Sequence, residues 1–497
     1  MRLLRGFAAV LIAGTLTAIA YAAPPDARLI EAVKTGDHAG AVRLLEEKAD
    51  VNAPEIDGTT ALHWAVRAND LEMADRLIRA GANVKAANRY SVTPLYLAAQ
   101  NGSPQMIARL LKAGADANET GVEGETVLMT AARTGAVDAA RVLLDAGARV
   151  DAKETWRGQT ALMWAASEGH PAMVKELIAR GADVNMRSNE VRWERQQTAE
   201  PRDKWLPLGN LTALFLAARD SCVDCIPILA DAGGDVNATD PDGYTPLLFA
   251  LINGQYDAAA ALLNKGADPN LAHKSGETPL YAAVDCHTMP ISNRPSPKET
   301  DNRLTSLDVI RLLLEKGADV NAQLSRQIPY RTKLDRGDDT MLAAGTTPFL
   351  RAAKAADHVV MKVLLEHGAD ATIASRTINP LMAAAGVGTK EEDTTGRHKS
   401  QTDIIEAIKL CLAAGIDINA ADSSGRTALY GAALQGFDDV IQFLADHGAD
   451  LFAKDRQERT ALDAASGNVP GLGFDGSASV PHESAAALLA KLMEAKK

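Results

Sequence analysis

The sequence is poor in aromatic residues and cysteine, and it has no long apolar run beyond its first residues. Phe, Trp and Tyr make up 4% of the 497 residues, although 46% are hydrophobic, and there are 4 Cys. The apolar mass is therefore Ala, Leu, Val and Ile, which suits small helices stacked closely side by side. Such a composition is unlike the aromatic-rich core of a conventional enzyme.

The N-terminus carries the one sustained apolar run. Arg2 and Arg5 precede about 14 apolar residues, and Ala20-Tyr21-Ala22 supplies a small-residue cleavage site. This pattern indicates a secretory signal peptide, and the run is shorter than the roughly 20 residues of a membrane helix. We expect residues 1–22 to be removed and residues 23–497 to be exported, to a bacterial periplasm or outside the cell, without membrane insertion.

Acidic residues outnumber basic ones. The chain has 64 Asp and Glu against 52 Lys and Arg, a formal net charge of −12 at pH 7. Loss of residues 1–22 removes two Arg and no acid, which makes the remainder more acidic still. Because such a chain repels the phosphate backbone unless its basic residues cluster, we expect no nucleic-acid partner.

One pattern recurs along the chain, at its shortest interval every 33 or 34 residues. Residues 93–118 have the sequence TPLYLAAQNGSPQMIARLLKAGADAN, and residues 160–185 have TALMWAASEGHPAMVKELIARGADVN. Thr caps a first helix, Pro can follow in its first turn, and Gly181 ends the second helix in the left-handed conformation. An extended finger leads to the next Thr. One such repeat buries too little apolar surface to fold alone, so the repeats must stack.

The capping Thr identifies the copies. It stands at Thr60, Thr93, Thr126, Thr160, Thr212, Thr245, Thr278, Thr347, Thr427 and Thr460, with Asn379 in the equivalent place. The pattern resembles the ankyrin repeat, with signature T-P-L-H-x-A-A and G-A-D-V-N, from about residue 26 onwards. The resemblance implies an all-α solenoid of about twelve helix-turn-helix repeats with β-hairpin-like fingers. It departs from the family in that only His63 keeps the signature His.

The repeat frame divides the exported chain. Residues 26–57 are expected to form an N-terminal capping repeat, residues 58–458 the central repeats, and residues 459–497 a C-terminal capping repeat. Insertions at 186–210 and 323–345 lengthen fingers, and insertions at 287–306 and 386–401 lengthen the turn between paired helices. The latter two are polar and indicate solvated loops.

Aromatic and arginine residues concentrate in and near the finger insertions. Ankyrin partners usually dock on the fingers and inner helices of the concave face, and Trp and Arg are frequent energetic anchors of interfaces. The candidate partner-binding residues are Trp156, Arg192, Trp193, Arg195, Trp205, Arg326, Tyr330 and Arg331. The insertion Trp side chains can instead pack locally against the stack, and Trp64 and Trp164 on inner helices belong either to the core or to a groove floor.

Cys222 and Cys225 form the one motif with redox spacing. The frame places Cys222 in the turn between two helices and Cys225 in the first turn of the second helix. In an exported protein this pair indicates a local disulfide, a redox site or simply two small buried residues. The Gly471-Leu-Gly473-Phe-Asp-Gly476 segment has no preceding strand, so it does not indicate dinucleotide binding.

The sequence predicts a non-catalytic scaffold for protein–protein interaction, expected to be a monomer, with an unidentified protein partner. It contains no His-Glu-x-x-His pair, no nucleophile elbow and no phosphate-cradling loop, so we expect no catalytic, cofactor or metal site. The alternative is an exported redox or stress-related protein that uses Cys222 and Cys225.

Overall fold

A computed structural model describes residues 27–190, 209–288, 302–326, 328, 344–376, 378–387, 400–467, 469 and 479–496. These residues form 24 α-helices and no β-strand, so the predicted all-α repeat architecture is confirmed. The fingers within them contain only two isolated bridges, Thr120 to Thr126 and Glu190 to Gly209. They are extended loops and not regular hairpins.

The chain forms two compact units, residues 1–116 and residues 117–497. Unit 1 contains α1 (Arg28–Thr35), α2 (His38–Glu46), α3 (Ala61–Arg67), α4 (Leu71–Arg79), α5 (Pro94–Gln100) and α6 (Pro104–Lys112).

Unit 2 contains the remaining helices that the structure describes. They are α7 (Val127–Arg133), α8 (Val137–Asp145), α9 (Ala161–Ser167), α10 (Pro171–Ala179), α11 (Ala213–Arg219), α12 (Cys225–Asp231), α13 (Pro246–Ile252), α14 (Tyr256–Asn264), α15 (Pro279–Thr288), α16 (Ser306–Glu315), α17 (Pro348–Lys354), α18 (His358–Glu366), α19 (Pro380–Ala384), α20 (Gln401–Ala413), α21 (Ala428–Leu434), α22 (Asp438–Asp446), α23 (Ala461–Ala465) and α24 (Glu483–Ala495).

The repeated Thr and Gly fix the ends of each helix pair. The Thr160 hydroxyl accepts the N–H of Met163 at 3.3 Å and so caps α9, and Thr93 caps α5 in the same way. Gly181 follows α10 at φ +87°, a conformation that side chains resist. Because these signals recur with the sequence period, the inner helices within each unit stack in order, with α9 packed between α7 and α11 in unit 2.

In most repeats, an Asn at the end of the recurrent GADVN-like motif joins the repeat to the next one. The Asn237 amide donates to the Gly266 carbonyl at 3.5 Å and accepts the N–H of Asp268 at 2.9 Å. The same pair of bonds is made by Asn52 in unit 1 and by Asn118, Asn185, Asn270, Asn321 and Asn419 in unit 2. Each Asn therefore satisfies two backbone groups that the Gly turn would leave open.

Helix length and hydropathy bear on the membrane question. None of the described helices is both long enough and apolar enough to cross a bilayer. Residues 1–22, the predicted signal peptide, lie outside the described residues.

Candidate functional site

A groove of about 360 Å³ opens on unit 2 where two fingers meet the ends of three inner helices. The fingers contribute residues 123–125 and 154–159, and the helices α7, α9 and α11 contribute their C-terminal halves. The groove is lined by four acids, three arginines and two tryptophans, together with Gln159 and Ser167: Glu123, Glu125, Glu154, Glu168, Arg133, Arg157, Arg219, Trp156 and Trp164.

The finger 154–159 is held rigidly by its own first residue. The Glu154 side chain is 5% exposed, and its carboxylate accepts the backbone N–H groups of Trp156 at 2.6 Å, Arg157 at 2.8 Å and Gln159 at 2.8 Å. Its charge is therefore used to shape the finger, because a carboxylate that accepts several amide bonds is fully satisfied. This geometry leaves the Trp156 side chain 57% exposed at the groove.

The next finger supports the same segment. The Asn189 N–H donates to the Arg157 carbonyl at 2.7 Å. Gly158 has φ +65°, and a Cβ at this position would collide with the Asn189 side chain. Glycine at position 158 therefore suits both the positive φ and the close approach of the Asn189 side chain.

Two arginines lie over the two indole rings. The Arg157 guanidinium carbon is 4.3 Å from the centroid of Trp156, and that of Arg133 is 5.3 Å from the centroid of Trp164. Both distances are within the range of a cation–π interaction. Within the part of the chain that the structure describes, neither guanidinium makes a hydrogen bond or an ion pair, and both residues line the groove.

The Trp164 indole is incompletely satisfied. Its ring is half-buried, and its Nε1–H is buried without an acceptor among the described residues. A buried donor without an acceptor is costly, and ligands often supply the missing partner. Arg219 at the same end of the groove differs, because its guanidinium binds both carboxylate oxygens of Asp220 at 2.8 and 2.7 Å.

The predicted partner-binding residues have different outcomes. Trp156 lies in the groove. Arg326 does not line it: its side chain is exposed beside another finger, where its N–H donates to the Ser275 carbonyl at 3.3 Å. Six further candidates lie outside the described residues, so they stay predictions: Arg192, Trp193, Arg195, Trp205, Tyr330 and Arg331.

Of the residues that line the groove, the sequence pointed only to Trp156 and Trp164. Arg133 and Arg157, which lie over the indole rings, belong to ordinary repeats, whereas the predicted anchors lie in or near the insertions. A signal for Arg133 was present, because it ends an inner helix at the repeat position that Lys34 and Arg67 also occupy. The recurrence of a basic residue there points to a common environment.

The Cys-x-x-Cys pair lies away from this groove's lining. Cys222 and Cys225 form a disulfide with Cα atoms 5.2 Å apart, at the start of α12, and the side chains are 5% and 0% exposed. A thiolate must reach a sulfur to exchange a disulfide, so this buried bond acts as a crosslink of the turn. Burial also raises the pKa of the Cys411 thiol to about 12, which keeps it protonated and unreactive.

Metal binding needs several donors in one place. In the described part of the chain, no group of three or more His, Cys, Asp or Glu is placed to hold an ion. The fingers instead use their Asp side chains for backbone geometry, as when Asp183 accepts the N–H of Asn185 at 2.8 Å.

Comparisons with known proteins give consistent results. The family model described as Ankyrin repeats (3 copies) matches residues 29–121, 97–188, 197–273, 214–324 and 399–473. The Caenorhabditis elegans ankyrin repeat and KH domain-containing protein mask-1 is 26% identical over 310 residues, 59% of this chain and 10% of that protein. The human ankyrin repeat and SOCS box protein 6 is 30% identical over 166 residues, 32% of this chain and 35% of that protein.

The chain thus spans about a third or less of the length of these curated relatives. Among solved structures, the human ASB11 ankyrin repeat domain is similar over 48% of this chain and 98% of that chain, with 24% identity and a TM-score of 0.41.

Proposed function

Because the chain belongs to the ankyrin repeat family, whose repeats generally serve protein–protein interaction, we propose that it is a non-catalytic scaffold that binds a protein partner through the groove of unit 2. The proposal extends the family's general role to one surface of this chain. It depends on a single observation, the two arginine-covered tryptophans in the groove.

The composition of the groove supports this role. Trp and Arg carry a large share of the energy in protein interfaces, and Trp156 exposes more than half of its side chain on a finger. Burying such a ring against a partner is worth about 2–3 kcal/mol. Since Glu154 already holds the finger in place, little conformational entropy is lost when a partner docks.

We also propose that the scaffold acts after export, in the periplasm. Two features support this location: the signal-peptide pattern of residues 1–22 and the Cys222–Cys225 disulfide, a bond that persists in oxidising compartments. N-terminal sequencing of the protein recovered from the exported fraction tests it. A mature chain that begins at Ala23 is expected, and recovery only from the cytoplasm with Met1 retained contradicts export.

An affinity capture tests the groove. The full chain, a Trp156→Ala/Arg157→Ala variant and a Phe452→Ala variant serve as baits for extracts of the source cell. Phe452 is the matched control, since it is an exposed aromatic residue of unit 2 that is 41% exposed and does not line the groove.

A partner of this groove is retained by the wild type and by Phe452→Ala and is lost from the double variant. A protein retained equally by all three baits places the interface elsewhere. Because the three changes affect exposed residues, each variant is expected to fold. Circular dichroism checks this before capture.

A further inference from the structure

The Trp164 site in the groove has a counterpart around Trp64 in unit 1, where residues of the chain itself satisfy the indole N–H. Trp64 is the fourth residue of α3, and its Nε1–H donates to a carboxylate oxygen of Glu55 at 3.1 Å. The Lys34 ammonium, from the preceding inner helix, binds the other Glu55 oxygen at 3.2 Å and lies 4.5 Å from the indole centroid. A carboxylate is therefore held between an indole N–H and a cation.

Unit 2 repeats two of these three groups. Trp164 is the fourth residue of α9, as Trp64 is of α3. Arg133 is the seventh residue of the preceding inner helix, as Lys34 is in unit 1, and its charge covers the Trp164 ring. The indole donor and the covering cation are thus both preserved.

The third group, the carboxylate, does not reach the indole in unit 2. The counterpart of Glu55 is Glu154, since each donates its N–H to the carbonyl of the residue that precedes the capping Thr. The finger of unit 2 is one residue longer, and the Glu154 carboxylate accepts backbone N–H groups of that finger instead. The buried Trp164 N–H therefore has no acceptor, and the Arg133 guanidinium has no anion, among the residues that the structure describes.

The acids around the groove do not fill this vacancy. Glu154 bonds three backbone N–H groups, and a Glu125 oxygen accepts the Glu123 N–H at 3.3 Å. Glu168 is exposed at the C-terminal end of α9. These charges also select the ligand, because the negative surroundings disfavour a dianion such as phosphate more strongly than a single carboxylate.

We propose that Trp164 and Arg133 form a carboxylate-binding subsite that receives an Asp or Glu side chain of the partner protein. One carboxylate oxygen accepts the Trp164 Nε1–H and the other binds the Arg133 guanidinium, as Glu55 does with Trp64 and Lys34. The subsite rests on the proposed function, since it names the chemistry with which the partner enters the groove. The neighbouring Arg157 and Trp156 pair then contacts the adjacent part of the same segment.

A direct test follows the indole N–H signals of the full chain labelled with ¹⁵N-Trp. The Trp164 signal is assigned by its loss in Trp164→Phe. The probes are N-acetyl-glutamate N-methylamide, its neutral glutamine analogue, and N-acetyl-alanine, which offers only a C-terminal carboxylate. The glutamate probe is expected to move the Trp164 proton signal downfield and saturably, and the glutamine probe to leave it in place.

Trp64 supplies an internal control, because Glu55 already occupies its acceptor position; its signal is expected to stay unchanged. A response to N-acetyl-alanine equal to that of the glutamate probe overturns the assignment to a side chain in favour of a chain terminus. No movement of Trp164 with any carboxylate, or equal movement with the glutamine analogue, overturns the subsite altogether.

Two variants connect the subsite to the partner. Arg133→Gln removes the cation, so the glutamate probe is expected to move the Trp164 signal less than in the wild type. Both Arg133→Gln and Trp164→Phe are expected to weaken affinity for the captured partner at least tenfold.

A partner lost from Trp156→Ala/Arg157→Ala but retained by Arg133→Gln and by Trp164→Phe leaves the scaffold proposal standing and overturns the subsite. A Trp164 signal that responds to the glutamate probe while no partner is captured supports the subsite and contradicts the scaffold proposal. The two proposals therefore fail separately.

Discussion

Trp64 in unit 1 and Trp164 in unit 2 occupy the same position of two repeats, and they differ in whether the indole N–H has an acceptor. The first donates to Glu55 of its own chain, whereas the second has a buried N–H without a described acceptor. Both rings lie under a cation from the preceding inner helix. In a repeat protein, equivalent residues can be compared between repeats. A polar group that has a partner in one repeat and none in another indicates where a ligand can bind.

A fully buried ion pair between α15 and α17 shows a charge that is satisfied entirely within the chain. Arg351 and Asp285 are 2.6 Å apart, with side chains 2% and 1% exposed. No partner protein can reach these charges, so the pair contributes only to the folded state.

Breaking that buried pair has the largest expected effect. Asp285→Asn leaves the Arg351 charge buried and uncompensated, which is expected to lower the free energy of unfolding by about 3–5 kcal/mol. Denaturant unfolding followed by circular dichroism measures the loss. The double variant Asp285→Asn/Arg351→Met removes the stranded charge and is expected to recover part of it; a double variant that is less stable than the single one contradicts this explanation.

A buried histidine gives the next effect, through pH. Burial lowers the pKa of His273, 3% exposed and stacked on Tyr244 at 4.1 Å, from 6.5 to about 4. Between pH 6.5 and 4 the unfolded chain binds a proton that the folded chain does not. The free energy of unfolding is therefore expected to fall by up to about 3 kcal/mol as the pH drops through this range.

The measurement for His273 is a difference between two chains. His273→Phe keeps an aromatic ring on Tyr244 and cannot titrate, so its stability is expected to depend less on pH than that of the wild type. Parallel stability curves for the two chains between pH 7 and pH 4 contradict a neutral, buried His273. Comparing the chains cancels the contribution of carboxylates that titrate in the same range.

Opening the site in unit 1 sharpens the comparison of the two tryptophans. Glu55→Thr removes the acceptor of Trp64 and the ion pair with Lys34. A loss of about 1–2 kcal/mol is expected, mostly from the stranded indole donor. The Trp64 signal should then respond to the glutamate probe; if it does not, the carboxylate position alone does not distinguish the two sites.

The smallest expected effect is a difference in stability between two matched variants, Trp64→Phe and Trp164→Phe. Trp64→Phe removes a satisfied donor and is expected to cost about 1 kcal/mol more than Trp164→Phe, which removes a donor that has no described acceptor. Both changes remove similar ring area, so each serves as the control for the other in thermal unfolding. Equal losses imply that the Trp164 N–H is satisfied in solution, and the contrast between the units disappears.

The sequence predicts the fold of this chain well because its signals are local and repeated. Thr160 caps α9 and Gly181 ends α10 as expected, and the period requires the stacking of their helices. Prediction of the groove is partial. Trp156 could be selected by residue type and place, whereas the pairing of Arg133 with Trp164 depends on the distance between two stacked repeats.

The incomplete contact of Trp164 was the hardest feature to predict. It depends on what the carboxylate binds: Glu55 accepts the Trp64 indole N–H, whereas its counterpart Glu154 accepts backbone N–H groups of its own finger. Both positions hold Glu, so residue type does not distinguish the two sites. The insertions are a different case, because Trp193 and Trp205 have no counterpart in other repeats and the period says nothing about their position.

The Asn contacts between repeats also determine how the array can change length. Asn237 binds a Gly carbonyl 29 residues further along the chain, while Asn185 makes the same bond across 48 residues and Asn270 across 47. The junction therefore recognises the neighbouring repeat in space and is insensitive to the number of residues between them. Segments of some twenty residues can be added or removed between two such contacts with the joint itself unaltered, so new surface can be acquired at one place without rebuilding the stack that carries it.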